Sequence, residues 1–229
     1  MLAVTLNLAT AASAAKYPVI PEPMVFDMMR PLGAKRGELE VNTLGTAALS
    51  GRERPVDWAP ELEYAFADGL AIEFEFPFED RSFVAYKLGL QAAFGTFNNG
   101  RSAHGVQYLG IYDRHGKTYR NSLIYMLGHR FDRRWSTMSM IGVGEISRQR
   151  AAGRNGLILN HSTFYDLPGG SILGLELNYL GGRDGHFLAM PQVHHRLSHR
   201  VNVQFAIGGD RIRGDVVRPK AGLRIVQEF

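Results

Sequence analysis

Residues 61–78 read ELEYAFADGLAIEFEFPF, two alternating runs joined by Asp68-Gly69. In the first run Leu62, Tyr64 and Phe66 share one face, opposite Glu61, Glu63 and Ala65. In the second, Leu70, Ile72, Phe74, Phe76 and Phe78 oppose Ala71, Glu73, Glu75 and Pro77. Successive side chains of a strand point to opposite sides, so period-two alternation reads as β-structure. A helix would scatter these phenylalanines around its circumference. Asp-Gly predicts a tight type I′ hairpin between the runs. A third run follows, with Val84, Tyr86, Leu88, Leu90, Ala92 and Phe94 facing away from Ala85, Lys87, Gly89, Gln91, Ala93 and Gly95. The three together predict a meander.

Working outward, the same pattern predicts strands near 38–48, 58–67, 70–79, 82–97, 104–113, 118–131, 135–147, 156–166, 171–181, 185–197, 201–209 and 216–229. Their lengths suit a tilted crossing of about 9–11 residues. The expected fold is all-β, an antiparallel up-and-down transmembrane barrel of about 12 strands over residues 38–229. The longest connections fall at Ser50 to Asp57 and Ser147 to Asn155, after odd-numbered strands, and those after even-numbered strands are mostly short. The turn Glu79-Asp80-Arg81 is short for an outside loop.

Composition agrees with this reading and excludes others. The 229 residues are 45% hydrophobic and 21% charged, with mean hydropathy −0.14. No run of about 18 apolar residues exists, which excludes a polytopic helical membrane protein. The chain has no cysteine, hence no disulfide scaffold, Cys-ligated metal or Cys nucleophile. The net charge is +4, but Lys and Arg are scattered, as at Asp132-Arg133-Arg134, and no nucleic-acid-binding motif accompanies them. No cofactor, metal site or nucleic-acid partner is expected.

The segment before the strands divides in two. Residues 1–15, MLAVTLNLATAASAA, present an apolar stretch and then small residues, with Ala12-Ser13-Ala14 matching a small-x-small cleavage pattern. This is expected to be a secretory signal, atypical in lacking a leading Lys or Arg; a short amphipathic helix is the alternative. Residues 16–37 carry Pro18, Pro21, Pro23 and Pro31. Because proline removes ladder donors, this segment is expected to be an irregular periplasmic lead-in or a plug in the barrel mouth.

Alternation alone does not separate a soluble barrel, apolar inside, from a membrane barrel, apolar outside. The export signal favours the membrane. So do aromatic residues toward strand ends, among them Tyr64, Phe66, Phe94, Phe97, Tyr119, Tyr125, Phe131 and Trp135, placed as an interfacial girdle would be. The last strand, with Leu223, Ile225 and Phe229 on one face and Gln227 interrupting it, ends on an aromatic. In this the chain resembles Gram-negative outer-membrane β-barrel proteins, and the resemblance implies that Phe229 is a C-terminal assembly signal read by the barrel-assembly machinery. It also implies contact with membrane lipid and lipopolysaccharide. The stretches PELEYAFADGLAIEFEFPFED and YKLGLQAAFG between Pro60 and Gly95 look like transporter barrels of the phenol-degradation (MetA-pathway) type. That resemblance covers about a sixth of the chain and carries over no functional residue.

With apolar faces toward lipid, the lumen is expected to be lined by Glu38, Glu40, Glu61, Glu63, Glu73, Glu75, Lys87, Gln91, Arg120, Arg130, Glu176, Asn178, Gln192, His194, Arg196, Arg218, Lys220 and Arg224. Barrel closure places a basic last strand beside an acidic first one. Such walls set a pore's selectivity or neutralise one another as a structural ion-pair network. The expected function is a channel or transport protein for small molecules. The alternatives are a non-conducting structural or interaction barrel in an envelope assembly, and an outer-membrane lipid hydrolase. For the last, Asn160-His161-Ser162 is the nearest motif, but adjacent strand residues face opposite ways. His194-His195 is a poor metal site for the same reason, and His161, His186 and His194 would have to converge from separate strands.

Overall fold

In the computed structural model, residues 17–52, 54–144, 156–182 and 185–229 are described. The expected signal segment 1–15 and the predicted loop 147–155 lie outside them. The strands are β1 (Leu39–Ala48), β2 (Val56–Ala67), β3 (Leu70–Glu75), β4 (Phe78–Glu79), β5 (Ser82–Phe83), β6 (Ala85–Phe97), β7 (Ser102–Asp113), β8 (Thr118–Arg130), β9 (Trp135–Gly144), β10 (Leu157–Asp166), β11 (Ser171–Leu180), β12 (His186–Arg196), β13 (Val201–Ile212) and β14 (Arg218–Glu228). Apart from the two-residue β4 and β5, they form a closed antiparallel 12-strand barrel in which each strand pairs with the next. Closure is the β1–β14 seam, in register from Glu40↔Glu228 to Ala48↔Lys220. Most barrel strands run 10–13 residues; at a rise of about 3.4 Å per residue and a tilt of about 40°, that spans a bilayer core.

The alternation resolves as a membrane barrel requires. Leu62, Phe74, Leu88, Leu90, Leu175, Phe205, Leu223 and Ile225 are exposed on the outer wall, and the girdle aromatics are exposed with them. The side chains between them point inward, and Glu63, Glu73 and Glu176 are fully buried.

Two local expectations are corrected. Pro77 interrupts the ladder and the expected strand 70–79 is split into β3 and β4; the expected strand 82–97 is split into β5 and β6 at Val84, whose N–H donates to the Pro77 carbonyl (2.9 Å). The β4–β5 hairpin turns at Asp80 (φ 52°) and folds its aromatics together, with Trp58 stacked on Phe78 and Phe83 edge-on to Tyr86. The turn at Asp68-Gly69 is not type I′: Gly69 has φ 73°, but Asp68 is not at positive φ. The cause is tertiary. Asp68 Oδ1 accepts the Arg36 N–H (2.9 Å), and the Gly69 N–H donates to the Ala34 carbonyl (2.8 Å), so the N-terminal segment shapes the turn.

Residues 17–37 form no strand and run through the lumen. Ile20, Met28, Met29 and Leu32 pack against inward-facing Leu109, Ile124, Met126, Met138, Met140 and Phe164. Met24 joins a second cluster with Leu188, Met190 and Ala206. The wall has glycine where these side chains press closest. An added Cβ would lie 2.6 Å from Met29 Sδ at Gly89, 2.8 Å from Leu32 at Gly105 and 2.6 Å from Ile20 at Gly128. The interior is therefore part polar and part methionine-rich, and the segment, called the plug below for its place in the lumen, is seated against both parts.

The outward register makes a stability prediction. Leu90→Arg, near the middle of β6, should destabilise the folded barrel by about 2–4 kcal/mol in denaturant titrations in lipid vesicles. Arg120→Leu, at an exposed rim position, should leave the midpoint nearly unchanged.

Candidate functional site: a charged, plugged lumen

The plug is held by side chains that reach its backbone. Glu176 on β11 accepts the N–H groups of Met24 (2.9 Å), Val25 (3.0 Å) and Phe26 (2.6 Å) and a bond from Asn178 Nδ2 (2.8 Å). Hydrogen bonds to a charged group contribute about 1.5–3 kcal/mol each, so this carboxylate is the plug's main polar anchor. Gln91 and Gln107 act as strand partners would. Gln91 Nε2 donates to the Arg30 carbonyl (2.8 Å), and Gln107 Nε2 donates to that of Asp27 (2.7 Å). Gln107 Oε1 accepts the Met29 N–H (3.3 Å). Near one rim, Arg130 donates to the Val19 carbonyl (2.5 Å) and pairs with Asp166 (2.8 Å).

The charges gather on the β1–β2–β3 wall. Arg224, from β14 across the seam, lies within ion-pair distance of Glu22 (3.5 Å), Glu40 (3.8 Å), Glu61 (3.6 Å) and Glu63 (3.5 Å), and its Nε donates to Asn42 Oδ1 (3.2 Å). Asn42 in turn donates to Glu63 (2.8 Å) and Glu40 (3.1 Å). Arg30 of the plug pairs with Glu40 and with Glu38 (3.1 Å). Lys87 of β6 pairs with Asp27 of the plug, with Glu75 and with Glu73 (3.2 Å). The carboxylates of Glu22, Asp27, Glu38, Glu40, Glu61, Glu63, Glu73 and Glu75 thus outnumber the cations Arg30, Lys87 and Arg224 that face them. A cavity of about 110 Å³ lies between plug and wall, bordered by Phe26, Asp27, Glu61, Glu75, Lys87 and Arg224.

Most residues expected in the lumen lie in or beside this network. Glu40, Glu63, Glu73, Glu75, Lys87, Gln91, Glu176, Asn178, Gln192, His194 and Arg224 are buried, and Glu61 and Lys220 are partly buried. Arg120, Arg196 and Arg218 keep the inward register but are exposed near the strand ends, because the strands run on past the filled section. The sequence reading did not single out Glu22, Asp27 and Arg30, which lie in an aperiodic segment, nor Gln107, whose role depends on a partner far away in sequence. Phe229 is exposed, and its N–H donates to the Leu39 carbonyl (2.9 Å) at the seam.

The histidines do not converge. His194 faces the lumen beside Phe164 and Gln192, His186 pairs with Asp210, and His161 faces outward. Ser162 is fully buried on the lumen side, so His161 and Ser162 stand on opposite faces as their spacing predicts. His161 instead meets Ser139 Oγ (2.8 Å) and Thr163 Oγ1 (3.3 Å). This pair lies under a lipid-facing groove of about 440 Å³ flanked by Tyr125, Ile141, Leu177 and Phe187. Equivalent cross-strand contacts join Ser102 to His129 (2.8 Å) and Ser171 to His195 (2.9 Å). Serine therefore recurs as the means of satisfying a histidine on this wall.

No protein-family model matches the chain, and no curated protein matches it. Solved structures do. The KdgM porin superposes with a TM-score of 0.62 at 12% identity, over 83% of this chain and 99% of that one. The COG4313 outer membrane channel from Pseudomonas putida F1 superposes at 0.63 with 12% identity, over 87% of this chain and 98% of that one. A KdgM porin in complex with disordered oligogalacturonate gives 0.60 at 11% identity, over 84% and 99%. At these identities the likeness is one of fold, and the fold is that of the outer-membrane β-barrels. These similar structures are porins and channels rather than enzymes.

The anchor at Glu176 can be tested directly, because the chain has no cysteine of its own. In a Met28→Cys background, adding Glu176→Ala should raise the rate of labelling by a membrane-impermeant maleimide at least about tenfold, the effect of losing one charged hydrogen bond. Unchanged labelling in a folded, heat-modifiable barrel would mean that the apolar contacts suffice.

Proposed function

We propose that this chain is an outer-membrane channel of the Gram-negative envelope that passes small molecules and is closed by its own N-terminal plug. The observation that carries this reading is how the plug is held. From Met24 to Arg30 its backbone is bound by the side chains of Glu176, Gln91 and Gln107, and among the described residues backbone bonds to the wall come only at its end, at Ala34 and Gly37. Side-chain anchors can release without opening the barrel's ladder, whereas an added strand could not. The fold shared with porins and channels supports the same reading.

The lumen's charge narrows the solute class. A surplus of carboxylates on one wall favours cationic or neutral solutes and opposes anionic ones. The KdgM porin has been seen in complex with oligogalacturonate; with this chain's wall, an acidic oligosaccharide is a poor candidate. The plug would have to move for any solute to pass, and its tight seating is also what a non-conducting structural barrel would show. The Ser139–His161 contact is the feature that a lipid hydrolase would use, but the two equivalent contacts and the porin fold weigh against it. Phe229, exposed at the seam, remains the proposed assembly signal.

A reversible lock separates these readings. A Cβ at Gly89 would sit 3.1 Å from Met29 Cγ, so Met29→Cys/Gly89→Cys is placed to cross-link plug to wall. In planar bilayers the oxidised protein should be silent, and reductant should restore stepwise, cation-selective current that weakens in Glu73→Gln/Glu75→Gln. Current through the oxidised form would remove the plug as the gate. Silence after reduction, in a barrel that inserts, would give the structural reading the field.

A further inference from the structure

We propose that Asp27, Glu73 and Glu75 form a binding site for a divalent cation of the calcium class, which competes there with the ammonium of Lys87 and ties the plug to the wall. The site needs the plug seated but not a conducting pore, so it stands apart from the channel reading.

One oxygen from each of the three carboxylates lies within 4.8 Å of the others. Oxygens held around one ion at about 2.3–2.6 Å lie up to about 5 Å apart, so the three are close enough to share one. Lys87 already marks the centre, since its Nζ contacts all three residues. Lys87 is the one cation among the described residues that contacts all three carboxyl groups, and Arg224, the next, is shared among Glu22, Glu40, Glu61 and Glu63.

Glu73 supplies the independent indication. It is fully buried, and neither of its oxygens has a hydrogen-bond partner. Its contact with Lys87 at 3.2 Å is charge proximity without a directed bond. A buried carboxylate left in this state is costly, and a cation in the nest would satisfy it.

The donors are all oxygen, which selects a hard cation over zinc or copper. The adjoining cavity of about 110 Å³ is bordered by Asp27, Glu75 and Lys87. It gives room for waters to complete the coordination shell and for the displaced ammonium to move toward Glu61. Lysine suits this exchange because its charge sits on a flexible four-carbon stem. Asp27 comes from the plug and the two glutamates from β3, so a bound ion would bridge plug and wall.

The test is calorimetric titration of calcium chloride into the full-length, refolded, EDTA-stripped barrel, with magnesium chloride in parallel. Saturable binding of one ion is expected, with Kd about 10⁻⁴–10⁻³ M as in extracellular calcium modules. Lys87→Met should bind at least tenfold more tightly, and Glu73→Gln and Asp27→Asn should lose the signal. Calcium should also slow maleimide labelling of Met28→Cys. The proposal is overturned if folded wild type shows no saturable heat, or if Glu73→Gln binds as wild type does, which would place the ion elsewhere. Should Lys87→Met fail to fold, wild type against Glu73→Gln decides.

Discussion

Every strand of this barrel has to put its charges where lipid is not. A bilayer offers no water to a backbone or a carboxylate, so ladders must close on themselves and charged side chains must turn inward. The period-two alternation of β2 and β3 is the direct imprint of that demand. Sending the glutamates inward moves the difficulty without ending it, because the filled section of the lumen also excludes water. Arg224 reaches across the seam and Lys87 reaches from β6 to meet those carboxylates. The plug contributes Arg30 to the same network while adding Glu22 and Asp27 to it.

The inner wall therefore has two characters. On the β1–β3 side it is a carboxylate surface bridged by three cations. On the β7–β10 side it is lined by Leu109, Ile124, Met126, Met138, Met140 and Phe164. The plug matches both, with ion pairs on one side and Ile20, Met28, Met29 and Leu32 on the other, while Gln91, Gln107 and Glu176 hold its backbone from β6, β7 and β11. Methionine suits the second task because its unbranched thioether fills irregular gaps. The glycines at 89, 105 and 128 provide the space those side chains need.

The barrel was legible because its signal is local. Leu70 to Phe78 announces a strand that the barrel keeps as far as Glu75, and the same test repeated down the chain finds the other barrel strands to within a few positions. The inward glutamates were legible for the same reason. What the sequence did not disclose depends on contacts between distant residues. Glu176 and the backbone of Met24 to Phe26 are about 150 positions apart, and nothing in either stretch names the other. The methionine-lined wall was hidden too, since inward Met126 and Met138 do not stand out from the outward apolar residues by hydrophobicity. Arg120 and Arg196 mark a third limit: alternation gives the face a residue takes but not its depth, and depth decides whether a charge is buried.

A plug carried on the same chain as its barrel is a tethered ligand. Over the few residues between Met29 and β1, its effective concentration at the lumen is on the order of millimolar. At that concentration an intrinsic dissociation constant of about 10 µM would keep the lumen occupied about 99% of the time. A solute or ion arriving from outside competes against this local supply and not against a dilute partner. Small changes in the anchor contacts, too weak to matter for a separate peptide, would therefore shift the occupied fraction without ever releasing the plug from the protein.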